Sequence, residues 1–244
     1  MNDEQTLQRL RALRLYGMAG AFEALRHIGV ADKRTPEEVL GELADAEWDA
    51  RRNRRSERLL KTAHLRFQAT LEEITYSPER NLDRRAVQKL MDREWIDAGS
   101  TVLITGPTGV GKSFLACAIG RQACLAGIAT RYEQAPKFFP RLRQARGDGT
   151  YRREIDRLAR TPLFVLDDFG LLALDADDRV TFLEVLEDRY ARAATVIASQ
   201  LPVAKWHDCI GQPTIADAIM DRLAHTPFIF ELKGGSMRKA RKDP

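Results

Sequence analysis

The sequence predicts an α/β fold: a parallel sheet with helices on both faces, preceded by a small all-helical N-terminal domain. Three observations carry this reading. Over the first 75 or so of the 244 residues, apolar side chains recur at three- and four-residue spacing. From about Tyr76, short apolar runs alternate with helical stretches. At residues 101–115, TVLITGPTGVGKSFL, a β-rich run passes through a glycine-studded turn into a helix.

Leu7, Leu10, Leu13, Met18, Phe22 and Leu25 form the first apolar stripe, with Gly17 and Gly20 weakening its middle. Thr35-Pro36-Glu37-Glu38 is a start signal: Thr35 can cap, Pro36 suits the first helical position, and Glu38 completes a capping box. A long helix is expected from there. Along it Asp45, Glu47 and Asp49 give way to Arg51, Arg52, Arg54, Arg55, Arg58 and Lys61. Such segregation describes either a solvated helix face or a phosphate-binding one. Ser77-Pro78 and Asn81 mark a turn-rich link, so the domains are expected at residues 1–75 and 76–244. Strands are predicted at 101–105, 128–133, 163–166, 195–199 and 228–231, and helices opening at Ser113, Pro136, Tyr151, Asp177 and Pro213.

A hydrophobic content of 44% is enough for a full α/β core, and a net charge of +4 is compatible with a polyanionic partner without requiring one. Cys117, Cys124 and Cys209 form no CxxC pair, which points to a reduced intracellular protein without structural zinc. The N-terminus is charged throughout, and no run approaches 18 uninterrupted apolar residues; a cytoplasmic protein with no membrane partner is expected.

Gly106, Pro107, Thr108, Gly109, Val110, Gly111, Lys112 and Ser113 match GxxxxGK[ST], and Phe114 continues into the helix. Glycines let consecutive backbone N–H groups turn inward on a phosphate at the positive end of a helix dipole. Lys112 should reach the β and γ phosphates, and the Ser113 hydroxyl should ligate Mg²⁺. The competing reading is a glycine-rich surface loop. The strand before the turn, and the apolar-striped helix after it that ends at Gly127, favour a nucleoside triphosphate site. Leu163–Leu166 then leads into Asp167 and Asp168. A parallel strand beside the phosphate turn would deliver both acids to the metal, Asp167 holding Mg²⁺ through water and Asp168 activating the attacking water.

GPTGVGKSFLA, LFVLDDFG, TVIASQLP, DAIMDRL and GGSMRK, in that order, resemble the IstB family of insertion-sequence ATP-binding proteins, close to the DnaC-type helicase loaders within the AAA+ class. The resemblance runs from about Leu60 to Lys239, and LRALRLYGMAGAFEAL also resembles the family's N-terminus. It implies a P-loop AAA+ sheet without a full lid domain, and an ATPase that uses ATP and Mg²⁺. It further implies a homo-oligomer with ATP at its subunit interfaces, acting on duplex DNA with a cognate transposase. By the same resemblance Gln200 stands where AAA+ proteins set a polar residue against the γ-phosphate, although asparagine or threonine is usual there. Arg222 matches the arginine inserted into a neighbouring subunit's site, and Arg238 matches the arginine that senses nucleotide from the carboxyl side. An ion pair of Arg222 with Asp221 or Asp217 is the plainer alternative.

Basic stretches at 51–66, 141–160 and 233–242 could meet a phosphate backbone, and no base-reading motif accompanies them. Duplex DNA bound largely without regard to sequence is therefore expected. A helicase loader acting on single-stranded DNA is the nearest rival, and a small-molecule kinase the next. The sequence offers no arginine-bearing lid for the acceptor a kinase would need.

Overall fold

The computed structural model describes residues 3–28, 34–224 and 227–237. The chain divides into two compact units, Met1–Arg58 and Leu59–Pro244.

The first unit holds helices α1 (Asp3–Ala12) and α2 (Tyr16–Ile28) and most of α3 (Pro36–Ala63). The apolar stripe does not run through as one helix. Arg14 takes φ 60° in a turn where Leu15 N–H donates to Leu10 O, and α2 starts anew. Glu47 of α3 caps that start, accepting from the backbone N–H of Gly17 at 2.7 Å and Met18 at 3.3 Å. A Cβ on Gly17 would lie 2.3 Å from the carbonyl oxygen of Ala46, so only glycine lets the two helices approach this closely. Arg51 and Arg54 donate to the other oxygen of the buried Glu47, and Arg54 also lies over the Tyr16 ring. Two members of the basic run are thus committed to internal structure. The capping box forms as expected: Thr35 N–H donates to Glu38 at 2.7 Å, and Glu38 N–H donates to Thr35 Oγ1 at 3.3 Å.

In the second unit, α4 (Arg84–Gln88) and α5 (Glu94–Asp97) precede a five-stranded parallel sheet. Its strands are β1 (Thr101–Thr105), β2 (Thr130–Gln134), β3 (Leu163–Phe169), β4 (Ala194–Ser199) and β5 (Phe228–Glu231), in spatial order β2-β3-β4-β1-β5. Helices α6 (Lys112–Leu125), α7 (Ala135–Asp148), α8 (Tyr151–Ala159), α9 (Ala176–Arg189), α10 (Trp206–Ile210) and α11 (Pro213–Leu223) make the connections. Side chains alternate along each strand, giving two buried layers. Val102, Ile104, Val165 and Val196 pack with Leu115 and Ile119 of α6, together with Ala69, Leu71 and Ile74 of the preceding segment. Leu103, Phe164, Leu166 and Ile197 pack with Phe138, Phe182 and Ile219 on the other side.

The five strands and five helices read from the sequence are all present, within two or three residues at their ends. The largest difference is β3, which runs on to Phe169. Asp168 takes φ 57°, and the pairing with β4 shifts register between Leu166 and Phe169, so a bulge lies where the apolar run stops.

Arg189 is buried at the opposite, amino-terminal edge of the sheet, where it donates to the carbonyls of Leu158, Thr161 and Ala194 and to Thr195 Oγ1. Burial pushes its pKa down to about 9, still above neutrality, so the guanidinium stays charged and ties α8, β4 and the start of β3 together.

Candidate functional site

In a parallel sheet the carboxyl ends of all strands lie along one edge, and a ligand crevice forms there. Here the ends of β1, β3 and β4 bring together the phosphate turn, Asp167-Asp168 and Ser199-Gln200. The turn from Gly106 to Gly111 is tightly wound, with positive φ at Gly106, Gly109 and Gly111. At Gly106, φ is 140° and an added Cβ would lie 2.2 Å from Leu232 O, so no other residue fits. Three contacts fix the loop: Met237 N–H donates to Gly109 O, Arg80 donates to Val110 O, and Lys112 Nζ donates to Pro107 O at 2.8 Å.

Beside the loop lies a cavity of about 470 Å³, within the range of small-molecule sites. Its polar wall includes Thr108, Lys112, Ser113, Asp168 and Gln200, and its apolar wall includes Phe67, Ile74, Leu82 and Phe114. Gly109 and Gly111 also line it, whereas Gly106, Pro107 and Val110 shape the loop without forming the wall.

Asp167 is fully buried. Its carboxylate accepts from the Tyr132 hydroxyl at 2.6 Å and from the Asp168 N–H at 2.9 Å. Burial, and then the charge of Asp167, push the Tyr132 phenol upward, so it remains a protonated donor. Asp168 instead turns to the cavity, where its Oδ2 meets Arg66 at 3.3 Å and Gln134 at 3.4 Å. The left-handed backbone at Asp168 separates the directions of two adjacent acids. Gln200 accepts from the Thr108 hydroxyl at 2.8 Å and lines the cavity; Ser199 is buried, donating to Phe169 O and accepting from Leu201 N–H.

Arg222 does not line this cavity. It pairs with Asp221 at 2.5 Å and Glu187 at 3.5 Å and lies over the Tyr190 ring. Asp217 pairs instead with His207. Arg238 lies outside the described residues. Among the described residues no group of three or more His, Cys, Asp or Glu side chains could hold a metal ion. Ser113 lines the cavity, whereas Asp167 is enclosed with both oxygens engaged and does not; protein donors are therefore few, which suits Mg²⁺, an ion that usually keeps several waters and takes its other ligands from substrate phosphates.

Sequence reasoning missed Arg66, Arg80 and Tyr132. Arg80 stood in a stretch read only as a link, and nothing in residue spacing reveals that a link folds back over a loop 30 residues later.

Among the described residues no helix is long and apolar enough to cross a membrane. The likeness to known proteins covers almost the whole chain. An insertion sequence ATP-binding protein of Sinorhizobium fredii, y4pL, is 45% identical over 237 residues, 97% of this chain and 97% of that protein. The crystal structure of DnaI superposes with a TM-score of 0.59 at 19% identity, covering 72% of this chain and 94% of that one. That of the DnaC helicase loader gives 0.54 at 20%, covering 68% and 98%. At such identities these two structures speak to the fold alone, which is that of a P-loop AAA+ domain. The family model of the IstB-like ATP binding proteins matches residues 8–244, and the chain belongs to that family.

Proposed function

We propose that this protein is an ATP-hydrolysing, DNA-binding AAA+ protein that oligomerises on duplex DNA and assists a transposase during insertion-sequence transposition. The observation that carries the nucleotide half is the cavity in which Lys112, Ser113, Asp168 and Gln200 converge beside the phosphate turn. Insertion-sequence context comes from the relatives' names.

When bound, Mg²⁺ supplies charge neutralisation to the phosphates, held on the protein side by Ser113 and, through water, Asp167. Tyr132 and the Asp168 amide keep Asp167 fixed for that task. Lys112 places its charge on the phosphate chain. Asp168 accepts a proton from the attacking water, which requires that it exchange its contact with Arg66 for that water. Gln200 orients the same water, Arg222 serves a neighbouring subunit's site, and Arg238 reads the nucleotide from the carboxyl side. We assign these events to the unit Leu59–Pro244, in which the segment before residue 76 already supplies Arg66 and Phe67 to the cavity, and a partner-side role to the helices of the first unit.

Within the 141–160 stretch, α8 and the residues just after it are more available for DNA than α7. On α7, Arg141 is paired with Glu133 and Glu154, Arg143 with Asp175 and Asp178, and Arg146 bonds Tyr151 and Thr181. An open groove, by contrast, is lined by Arg152, Arg153, Arg157 and Arg160. Arg152 pairs with Asp156 and Glu184, whereas the other three make no ion pair among the described residues.

The test is duplex affinity at fixed ionic strength, with and without ATP. ATP at subunit junctions stabilises the oligomer, the oligomer aligns the grooves, and affinity should rise with ATP by linkage. Replacing Arg152, Arg153 and Arg157 by alanine should weaken binding across unrelated sequences and lower the log–log salt slope by about 1 per arginine, with ATP binding retained. Equal affinity in both nucleotide states would overturn the ATP-gated clamp. Preference for single-stranded over duplex DNA would move the protein to the helicase-loader class.

A further inference from the structure

We propose that Arg80 is a further nucleotide-binding residue, a buried cation whose countercharge is the phosphate chain of the bound nucleotide; this rests on the ATP-binding reading above. Arg80 is only 9% exposed and stands in the wall of the cavity with Gly111, Lys112 and Ser113. Its guanidinium donates to Thr75 O at 2.5 Å and Val110 O at 2.6 Å, while its buried Nε–H has no acceptor. None of the hydrogen-bond acceptors it has found is charged. Among the described residues neither acid of the cavity wall makes an ion pair with it: Asp168 is engaged by Arg66, and Glu73 accepts from the backbone N–H of Thr70.

An arginine buried without an anion is disfavoured unless something else supplies the opposite charge. Burial accordingly lowers the Arg80 pKa from its usual value. The backbone that carries the guanidinium is also tied down. Arg80 N–H donates to Ser77 O, its carbonyl accepts from Lys233 N–H, and Asn81 beside it donates to Glu231 O. A Cβ on Gly111 would come within 2.9 Å of Nη2, so the charge sits directly against the backbone of the phosphate loop. Arg80 is thus a cation held at the loop with no ion-paired acid among the described residues. A polyanionic ligand in that cavity supplies the countercharge to the guanidinium, while the enclosed Nε stays out of its reach. The Val110 contact adds a positioning role, since the same side chain fixes the loop that presents backbone N–H groups to the phosphates.

The test uses the full chain and titrates fluorescent ATP and ADP against wild type, Arg80→Met, Arg80→Lys and Lys112→Ala, with the melting temperature of each in the absence of nucleotide. Arg80→Met keeps the bulk and removes the charge. It should raise both dissociation constants about tenfold or more; the loss of donors to Thr75 O and Val110 O and the removal of an uncompensated charge act on the melting temperature in opposite directions, so the loss of affinity is compared with that of Arg80→Lys. Arg80→Lys should recover much of the affinity. If Arg80→Met does not fold, Arg80→Gln, which can still donate to one carbonyl, serves as the neutral variant. Wild-type affinity in the neutral variant would overturn the proposal. So would equal losses in the neutral and lysine variants accompanied by a lower melting temperature, since that pattern belongs to a residue that only braces the fold. Failure of the wild-type protein itself to bind either nucleotide would overturn the ATP-binding reading together with this inference.

Discussion

Replacing Lys112 by alanine should raise the dissociation constant for ATP about 10- to 100-fold and reduce hydrolysis with it. Lys112 opens α6, is buried, and donates to Pro107 O within the phosphate turn. A phosphate is a better partner than a neutral carbonyl, and hydrogen bonds to charged groups contribute about 1.5–3 kcal/mol, which converts to that range of affinity. Because the same charge would act on the γ-phosphate as it departs, binding and turnover should fall together. Asp168→Asn provides the contrast. It preserves the size of a side chain proposed to act on water, so ATP-dependent DNA binding should survive while turnover slows. Titration of labelled ATP and a phosphate-release assay check both variants. Unchanged ATP affinity in Lys112→Ala would remove the lysine from the site, and wild-type turnover in Asp168→Asn would remove that acid from the chemistry.

The features read correctly from the sequence are those whose causes lie within a few residues. The capping box at Thr35–Glu38, the β1–turn–α6 unit and the start of α11 at Pro213 each depend on neighbours along the chain. Where the cause is distant, local pattern misleads. The stripe through Leu13 and Met18 shows only Gly17 and Gly20 weakening its middle, yet α2 begins separately, its first amides satisfied by Glu47, 30 residues on. Likewise the apolar run ending at Leu166 gives no warning that Asp168 will take a left-handed conformation and carry β3 on to Phe169. At the site, the acids and the phosphate turn are visible because motif spacing encodes them. Arg66 and Arg80 are not, because they reach the cavity through tertiary folding of an irregular segment. The choice between Ser199 and Gln200 also needed the structure: both sit at the end of β4, but only Gln200 lines the cavity.

Arg222→Ala should lower ATP turnover by about 10³-fold or more while leaving ATP binding and folding close to wild type, the range expected when a guanidinium that neutralises charge on a transferred phosphoryl is lost. Its present contacts are an exposed pair with Asp221, a longer one with Glu187 and the Tyr190 ring, and such surface pairs contribute only about 0–1 kcal/mol to stability. A large loss of activity could not then be attributed to unfolding. Since Arg222 does not line the cavity of its own chain, the proposed target is the site of the next subunit. Mixing distinguishes the two geometries. Arg222→Ala protein keeps an intact Lys112 but lacks the finger, and Lys112→Ala protein keeps the finger but lacks the lysine. In a random equal mixture about a quarter of head-to-tail junctions would pair a sound loop with a sound arginine, so activity should return to about that fraction. If Arg222 instead served its own chain, no mixture could place both groups at one site. Absence of rescue under conditions where mixed oligomers are shown to form would therefore reject the action between subunits and, with it, the requirement that ATP be hydrolysed at subunit junctions.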